Sequence, residues 1–269
     1  MRRIKSPTEF PWEFFLARAN LGYLEAKFSK LYQAVTLAKL QEENMKKKIN
    51  VNQISGIAVF SALAVVVALV CQVIPNVSGF LSLDAKDAVI AMASFIYGPV
   101  SAVVIAFIAA FIEAISFSTT EWYGFIMNFA SSAAFSLTAS LIYKKHRSLN
   151  GALVGFLAAI IVTTSVMLLL NIFVTPLFLV YKGFAPNLEV AKEIVRGMLA
   201  KVLLPFNFAK TLLNSALAMM LYKPISNAMS HIGLNKKKMG TKFNKNSVII
   251  LIVGSIALAL SLLILFIIS

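Results

Sequence analysis

Residues 199–222 read Leu-Ala-Lys-Val-Leu-Leu-Pro-Phe-Asn-Phe-Ala-Lys-Thr-Leu-Leu-Asn-Ser-Ala-Leu-Ala-Met-Met-Leu-Tyr. The run is long enough to cross a bilayer, which takes about 20 residues as a helix. Yet it carries Asn207, Lys210 and Asn214 in its interior. Their spacings of three and four put them on one helix face. Lys210 lies thirteen residues before Lys223, roughly 20 Å from that end at 1.5 Å per residue. From that depth the ammonium cannot easily reach the interface, so a functional role is the first expectation for it.

Six further apolar runs flank this one, at about 53–74, 85–97, 99–117, 122–143, 150–181 and 247–268. Pro75-Asn76 closes the first, and Gly98-Pro99, a turn signal, closes the second. The second run is short, and its length suits a re-entrant or buried helix as well as a span. The expected fold is an all-α integral membrane protein. A six-helix bundle fills 45–225, a basic linker covers 226–246, and an extra C-terminal transmembrane helix covers 247–269. Residues 1–44 stand apart, polar and aromatic, with seven Lys and Arg from Arg2 to Lys39 and no long apolar run. Three readings stay open for them: a cytosolic extension, an amphipathic surface helix, or a stretch upstream of a natural start at Met45-Lys46-Lys47-Lys48.

Composition agrees. Hydrophobic residues make up 59% of the chain and charged residues 13%. So few charges cannot cover the surface of a soluble domain. The net charge of +14 invites a nucleic-acid reading. The Lys and Arg gather at the ends of apolar runs instead, which is a topology signal, and no nucleic-acid partner is expected. The single cysteine, Cys71, lies in an apolar run and excludes an internal disulfide. His146 and His231 lie in basic loops, so no His-based metal site is expected. The chain has no Gly-x-x-x-x-Gly-Lys-Ser/Thr phosphate loop, no His-Glu-x-x-His and no Gly-x-Ser-x-Gly. ATP hydrolysis by that loop and these enzyme classes are therefore not expected.

Three basic clusters set the orientation: Lys46 to Lys48; Lys144, Lys145 and Arg147; and Lys223 with Lys236 to Lys238, Lys242 and Lys245. They fall on one side if the first six helices alternate, and the positive-inside rule makes that side cytosolic. The opposite loops at 75–83 and 118–121 hold no Lys or Arg, while the third, 182–198, is mixed. The expectation is a multi-pass plasma-membrane protein with a cytosolic N-terminus and Ser269 outside.

Depth along each helix then locates the polar residues. Asn171 lies twenty residues after Gly151, near the outer side. Glu113 is roughly 22 Å beyond Gly98, and Asn128 roughly 10 Å beyond Glu121. Asp84 and Asp87 open the second helix at the outer surface. Polar residues from five helices thus meet at one outer level, above inner halves that are almost purely apolar. This describes a pocket closed below, since a channel needs polar lining along its whole length. Several plainer roles stay open. Asn128 and Asn214 suit a bond to a neighbouring helix as well as a ligand. Asp84 and Asp87 suit a helix cap as well as a ligand loop. Glu113 suits an ion pair with Lys210.

Four stretches carry a family resemblance: Leu-Ser-Leu-Asp-Ala-Lys-Asp (81–87), Phe-Ile-Tyr-Gly-Pro-Val (95–100), Leu-Asn-Ile-Phe-Val-Thr-Pro-Leu (170–177) and Leu-Pro-Phe-Asn-Phe-Ala-Lys (204–210). They resemble the riboflavin-specific substrate-binding subunit, or S component, of energy-coupling factor (ECF) transporters, over about 50–225. The resemblance implies a flavin ring bound by Asn171, Asn207 and Lys210. It implies a ribityl chain near Asp84 and the fourth helix, with Asp87, Asn128 and Glu113 as further ligand candidates. Carboxamides and an ammonium suit the carbonyl and imide edge of the ring. It further implies riboflavin as cargo, no cofactor, and as partners a transmembrane coupling subunit and two ATP-binding cassette ATPases. Docking to the coupling subunit would use small residues on the first helix, here Ala58 and Ala62. The N-terminal 44 residues and the seventh helix depart from the pattern. Competing readings are an S component for pyridoxine or a thiamin precursor, a standalone secondary transporter, and a membrane enzyme.

Overall fold

The computed structural model describes residues 27, 29–30, 32–33, 36, 51–74, 76–231 and 245–268. The chain divides into two compact units, Met1–Val51 and Asn52–Ser269. In the first, the six described residues before position 50 are helical. The rest of the N-terminal segment, the basic cluster at 46–48 and linker residues 232–244 lie outside the described residues.

Among the described residues, the regular elements of the second unit are helices, apart from one isolated β-bridge. Its elements are α1 (Val51–Cys71), α2 (Lys86–Tyr97), α3 (Pro99–Ser116), α4 (Glu121–Lys145), α5 (Leu149–Phe173), α6 (Thr175–Tyr181), α7 (Leu188–Met198), a π turn (Leu199–Leu203), α8 (Leu204–His231) and α9 (Lys245–Ile268). Five stretches are long and apolar enough to cross a membrane: Val51–Cys71, Pro99–Ser116, Glu121–Lys145, Asn150–Phe173 and Leu188–Tyr222. The chain is an all-α membrane protein.

The short second run is a central buried helix and not a span. α2 has 12 residues, about 18 Å of helix against a hydrocarbon core of about 30 Å. Ten of them, Lys86 to Phe95, are buried, packed against α3, α4 and α8. Gly98, at φ 98°, makes the left-handed turn that Pro99 then converts into α3.

Two expected boundaries change. The fifth run breaks at Val174, so α5 and α6 are separate helices. Pro176 has no N–H to continue the helical ladder across the break. The mixed loop at 182–198 folds into α7. Asn187 caps it by accepting from the Val190 N–H at 3.0 Å, and Ala191 and Val195 turn inward. The π turn follows directly, just before Pro205, which likewise cannot donate into the ladder.

The inner halves also hold more polar atoms than expected. Ser94, Ser101, Ser136, Ser140 and Thr163 are all buried. Most hydroxyls return to their own helix, as in Ser94 to Ala91 O at 2.6 Å and Ser140 to Leu137 O at 3.1 Å. Such bonds satisfy the hydroxyls of Ser94, Ser101 and Ser140 locally, whereas those of Ser136 and Thr163 have no hydrogen-bond partner among the described residues.

The two outermost helices are held differently. α1 buries Phe60, Ala64 and Ala68, and the first two join Val89, Ile90 and Ile105 in one core cluster. Its other face, including Ala58 and Ala62, is exposed. α9 lies against α8 and buries Gly254, Ser261 and Leu265. A Cβ at Gly254 would come within 2.9 Å of the Met220 side chain, so the absence of one permits the close approach.

Candidate ligand-binding site

The loop between α1 and α2 is folded by its own backbone. Val77 and Leu81 exchange N–H to O bonds of 2.9 and 3.0 Å. Ser78 at φ 52° and Gly79 at φ 80° turn the chain between them. This hairpin brings Phe80, Ser82 and Asp84 over the helices.

A cleft with about 410 Å³ of empty space, its open mouth included, lies between this loop, α4, α5 and α8. Asn128, Asn171, Asn207 and Lys210 all line it. The Asn171 amide donates to Met167 O at 2.7 Å, and its Oδ1 accepts the Thr175 hydroxyl at 2.8 Å. Tyr123 OH is 3.1 Å from the same hydroxyl, so a short chain of bonds fixes the Asn171 side chain. Asn207 donates to Leu203 O at 2.7 Å, a carbonyl of the π turn. Each amide keeps a second N–H, and among the described residues no group donates to Asn207 Oδ1. The aromatic residues lining the cleft are Phe80, Tyr123 and Phe206; Tyr123 stacks at 4.2 Å on Phe178 behind it, with Phe80 at 6.3 Å from both rings.

A second cleft of about 680 Å³, open mouth included, runs between the end of α1, the loop and the end of α3. Asp84 and Glu113 line it, with Gln72, Asn76, Ser118 and Thr119. The two clefts share Phe80, Ser82 and Thr120.

Buried charges join them. Lys210 Nζ is 2.8 Å from Asp84 Oδ2. Lys86 Nζ is 3.1 Å from the same oxygen and 2.7 Å from Glu113 Oε2. Glu113 Oε1 accepts from Asn128 Nδ2 at 2.7 Å. Burial alone would raise the Asp84 carboxyl, but Lys210 and Lys86 outweigh it and hold the group well below the ordinary carboxylate range.

Several expectations need correction here. The ion pair left open for Glu113 forms with Lys86, while Lys210 pairs with Asp84. Asp84 and Asp87 are both buried and not at a surface. Asp84 Oδ1 does accept the Lys86 N–H at 3.3 Å, so its helix-start role is real, but it also carries the ion pairs. Asp87 lines neither cleft. Its carboxylate accepts from Ser132 and, at 3.5 Å, from Ser131. Asn214 follows the neighbouring-helix reading. It accepts the Ala88 N–H and donates to Asp84 O, both at 2.9 Å, so it satisfies a free donor at the start of α2.

The family model for the ECF transporter substrate-specific component matches residues 52–222. This chain belongs to that family. The riboflavin transporter RibU of Staphylococcus aureus (strain TCH60) is 31% identical to this S component over 193 residues, which are 70% of this chain and all of the relative. A solved structure described as the S component of a bacterial ECF transporter matches with a TM-score of 0.53 at 31% identity. That match covers 66% of this S component and 96% of the other chain. The family match spans α1 to Tyr222 within α8, so every cleft-lining residue lies inside it and α9 lies beyond it.

Sequence reasoning missed Lys86, Tyr123 and Thr175. Lys86 sits next to Asp87 in a segment expected at the surface, where a lysine needs no explanation. Thr175 is four residues after Asn171, a one-face spacing that could have been noticed. Tyr123 gave no signal, since aromatic residues are frequent near helix ends.

Proposed function

We propose that this S component captures riboflavin in the cleft beneath the 72–85 loop, for ATP-driven uptake by an ECF transporter. The observation that carries this reading is convergence. Asn128 of α4, Asn171 of α5, and Asn207 and Lys210 of α8 line one cleft with an aromatic wall. The carbonyl and imide edge of isoalloxazine meets carboxamides that retain free donors and an acceptor. The Lys210 ammonium favours electron density at the ring's N1 and carbonyl side. Tyr123, Phe206 and Phe80 offer faces and edges to the fused ring. The second cleft, with its hydroxyls and carboxylates, suits the hydroxylated ribityl chain. Riboflavin is also what the 31%-identical relative is named for transporting.

The chain would work as a binding subunit without catalysing a reaction. A transmembrane coupling subunit and two ATP-binding cassette ATPases would supply the driving force. Ala58 and Ala62, small and exposed on α1, offer a close-packing face for the coupling subunit. The basic clusters favour a cytosolic N-terminus, with the loop and cleft facing outside. If α9 spans, it brings Ser269 to the outer side. Purification followed by a visible absorption spectrum tests the ligand. A yellow preparation, or tight binding of added riboflavin, is expected. A colourless preparation that fails to bind riboflavin overturns the reading.

A further inference from the structure

Lys86 stands at the middle of the buried ion network yet lines neither cleft. It is the first residue of α2 and only 1% exposed. On one side, its ammonium reaches Asp84 Oδ2, the oxygen that Lys210 also contacts. On the other it reaches Glu113 Oε2, whose partner oxygen holds Asn128. The chain Asn128, Glu113, Lys86, Asp84, Lys210 therefore links α4, α3, α2, the loop and α8. Both of its ends are cleft-lining side chains.

Removing the middle member has a predictable consequence. Among the described residues, the buried carboxylates and ammoniums are those of Asp84, Lys86, Asp87, Glu113 and Lys210. Without Lys86, Glu113 has no ammonium partner, and Lys210 is the one remaining buried cation. An unpaired buried carboxylate draws strongly on any cation within reach. Lys210 would then be shared between Asp84 and Glu113, and its donors would turn away from the cleft. At present Lys210 spends its contacts on Asp84 Oδ2 at 2.8 Å and Ser82 O at 3.4 Å. An ammonium has three N–H donors, which leaves one for a ligand.

We propose that Lys86 is a positioning residue for the flavin site: by occupying Glu113 and sharing Asp84, it keeps the Lys210 ammonium and the Asn128 amide aimed into the cleft. This rests on the riboflavin reading above.

The test compares riboflavin affinity, measured by flavin fluorescence quenching on the purified full chain, for wild type, Lys86→Met, Glu113→Gln and Lys86→Met/Glu113→Gln. Lys86→Met leaves the Glu113 carboxylate without its ammonium, so Lys210 is drawn toward it and binding should weaken about thirty-fold, the scale of losing a buried charged partner. Its residual flavin complex should also show a visible absorption band shifted from wild type toward that of Lys210→Met. The double variant removes the competing carboxylate and keeps the charge balance of the cluster, so it should bind within about three-fold of Glu113→Gln, with an unshifted band. Affinity of Lys86→Met within about three-fold of wild type, or a double variant that binds about thirty-fold more weakly than Glu113→Gln, overturns the proposal while leaving the ligand reading intact, and the second outcome can be read even where Lys86→Met does not fold. Wild-type protein that binds no riboflavin overturns the ligand reading and this inference with it.

Discussion

α8 presents two faces that obey different rules. On one, Lys210 and Asn214 bond to the loop and the start of α2, and Asn207 bonds back to Leu203 O of the π turn. About a third of a turn round, Ala216 is buried and the Met220 side chain meets α9 at Gly254. The first face is held by directional bonds in a low-dielectric interior, where losing one partner is costly. The second is held by close packing, where cost scales with volume changed. The bonded face and the packed face are thus separated by about a third of a helical turn on one element.

Substitutions can break or sharpen that separation. The largest effect is expected on the polar face. Lys210→Met should weaken riboflavin binding about a hundredfold or more, since it removes a charged group from a buried bonded network. Asn207→Ala should cost about tenfold, the scale of one buried hydrogen-bonding side chain. Titration of each variant by flavin fluorescence checks both, and undiminished binding would remove that residue from the site.

On the packing face, Gly254→Leu forces a side chain into Met220 and should destabilise the fold by about 1–3 kcal/mol. Thermal unfolding measures that loss. Riboflavin affinity of the folded protein should stay within about three-fold of wild type. A loss as great as that of Asn207→Ala would show that the two faces are coupled.

The smallest effect concerns pH. Asp84 is held below its ordinary value by Lys210 and Lys86. A depressed carboxyl contributes stability above its unfolded value and loses it only as pH falls through its lowered value. Its ion pairs should therefore leave binding flat from about pH 8 to about pH 5. A marked fall across that window in wild type, absent in Asp84→Asn, would contradict the ion-pair geometry.

Much of this was legible in the chain itself. Apolar runs marked the long helices, and the spacing of Asn207 and Lys210 marked a polar face. Asn171, Asn128 and Lys210 were placed at one level by counting residues from the loops, and they do line one cleft. The misses share a cause. The partner of Glu113 stays open in the sequence because depth counted helix by helix does not place side chains of different helices against each other, and Lys86 gives no signal because a lysine at a helix start expected at the surface needs no explanation. A 12-residue helix sunk among longer ones brings its ends into the interior, and linear distance from a loop then no longer measures depth. The break before α6 and the π turn follow from Pro176 and Pro205, visible as residues but not as geometry.

The sequence by itself determined the membrane-embedded helical class, the family and the polar residues of the α8 face, because hydropathy and helical periodicity are local properties of the chain. Only the tertiary structure decided which charges pair, since Asp84, Lys86, Glu113 and Lys210 come from a loop and three helices. Partner choice among buried ions depends on ångström-scale distances between elements far apart in sequence. Those distances are set by how α2 packs between α3, α4 and α8.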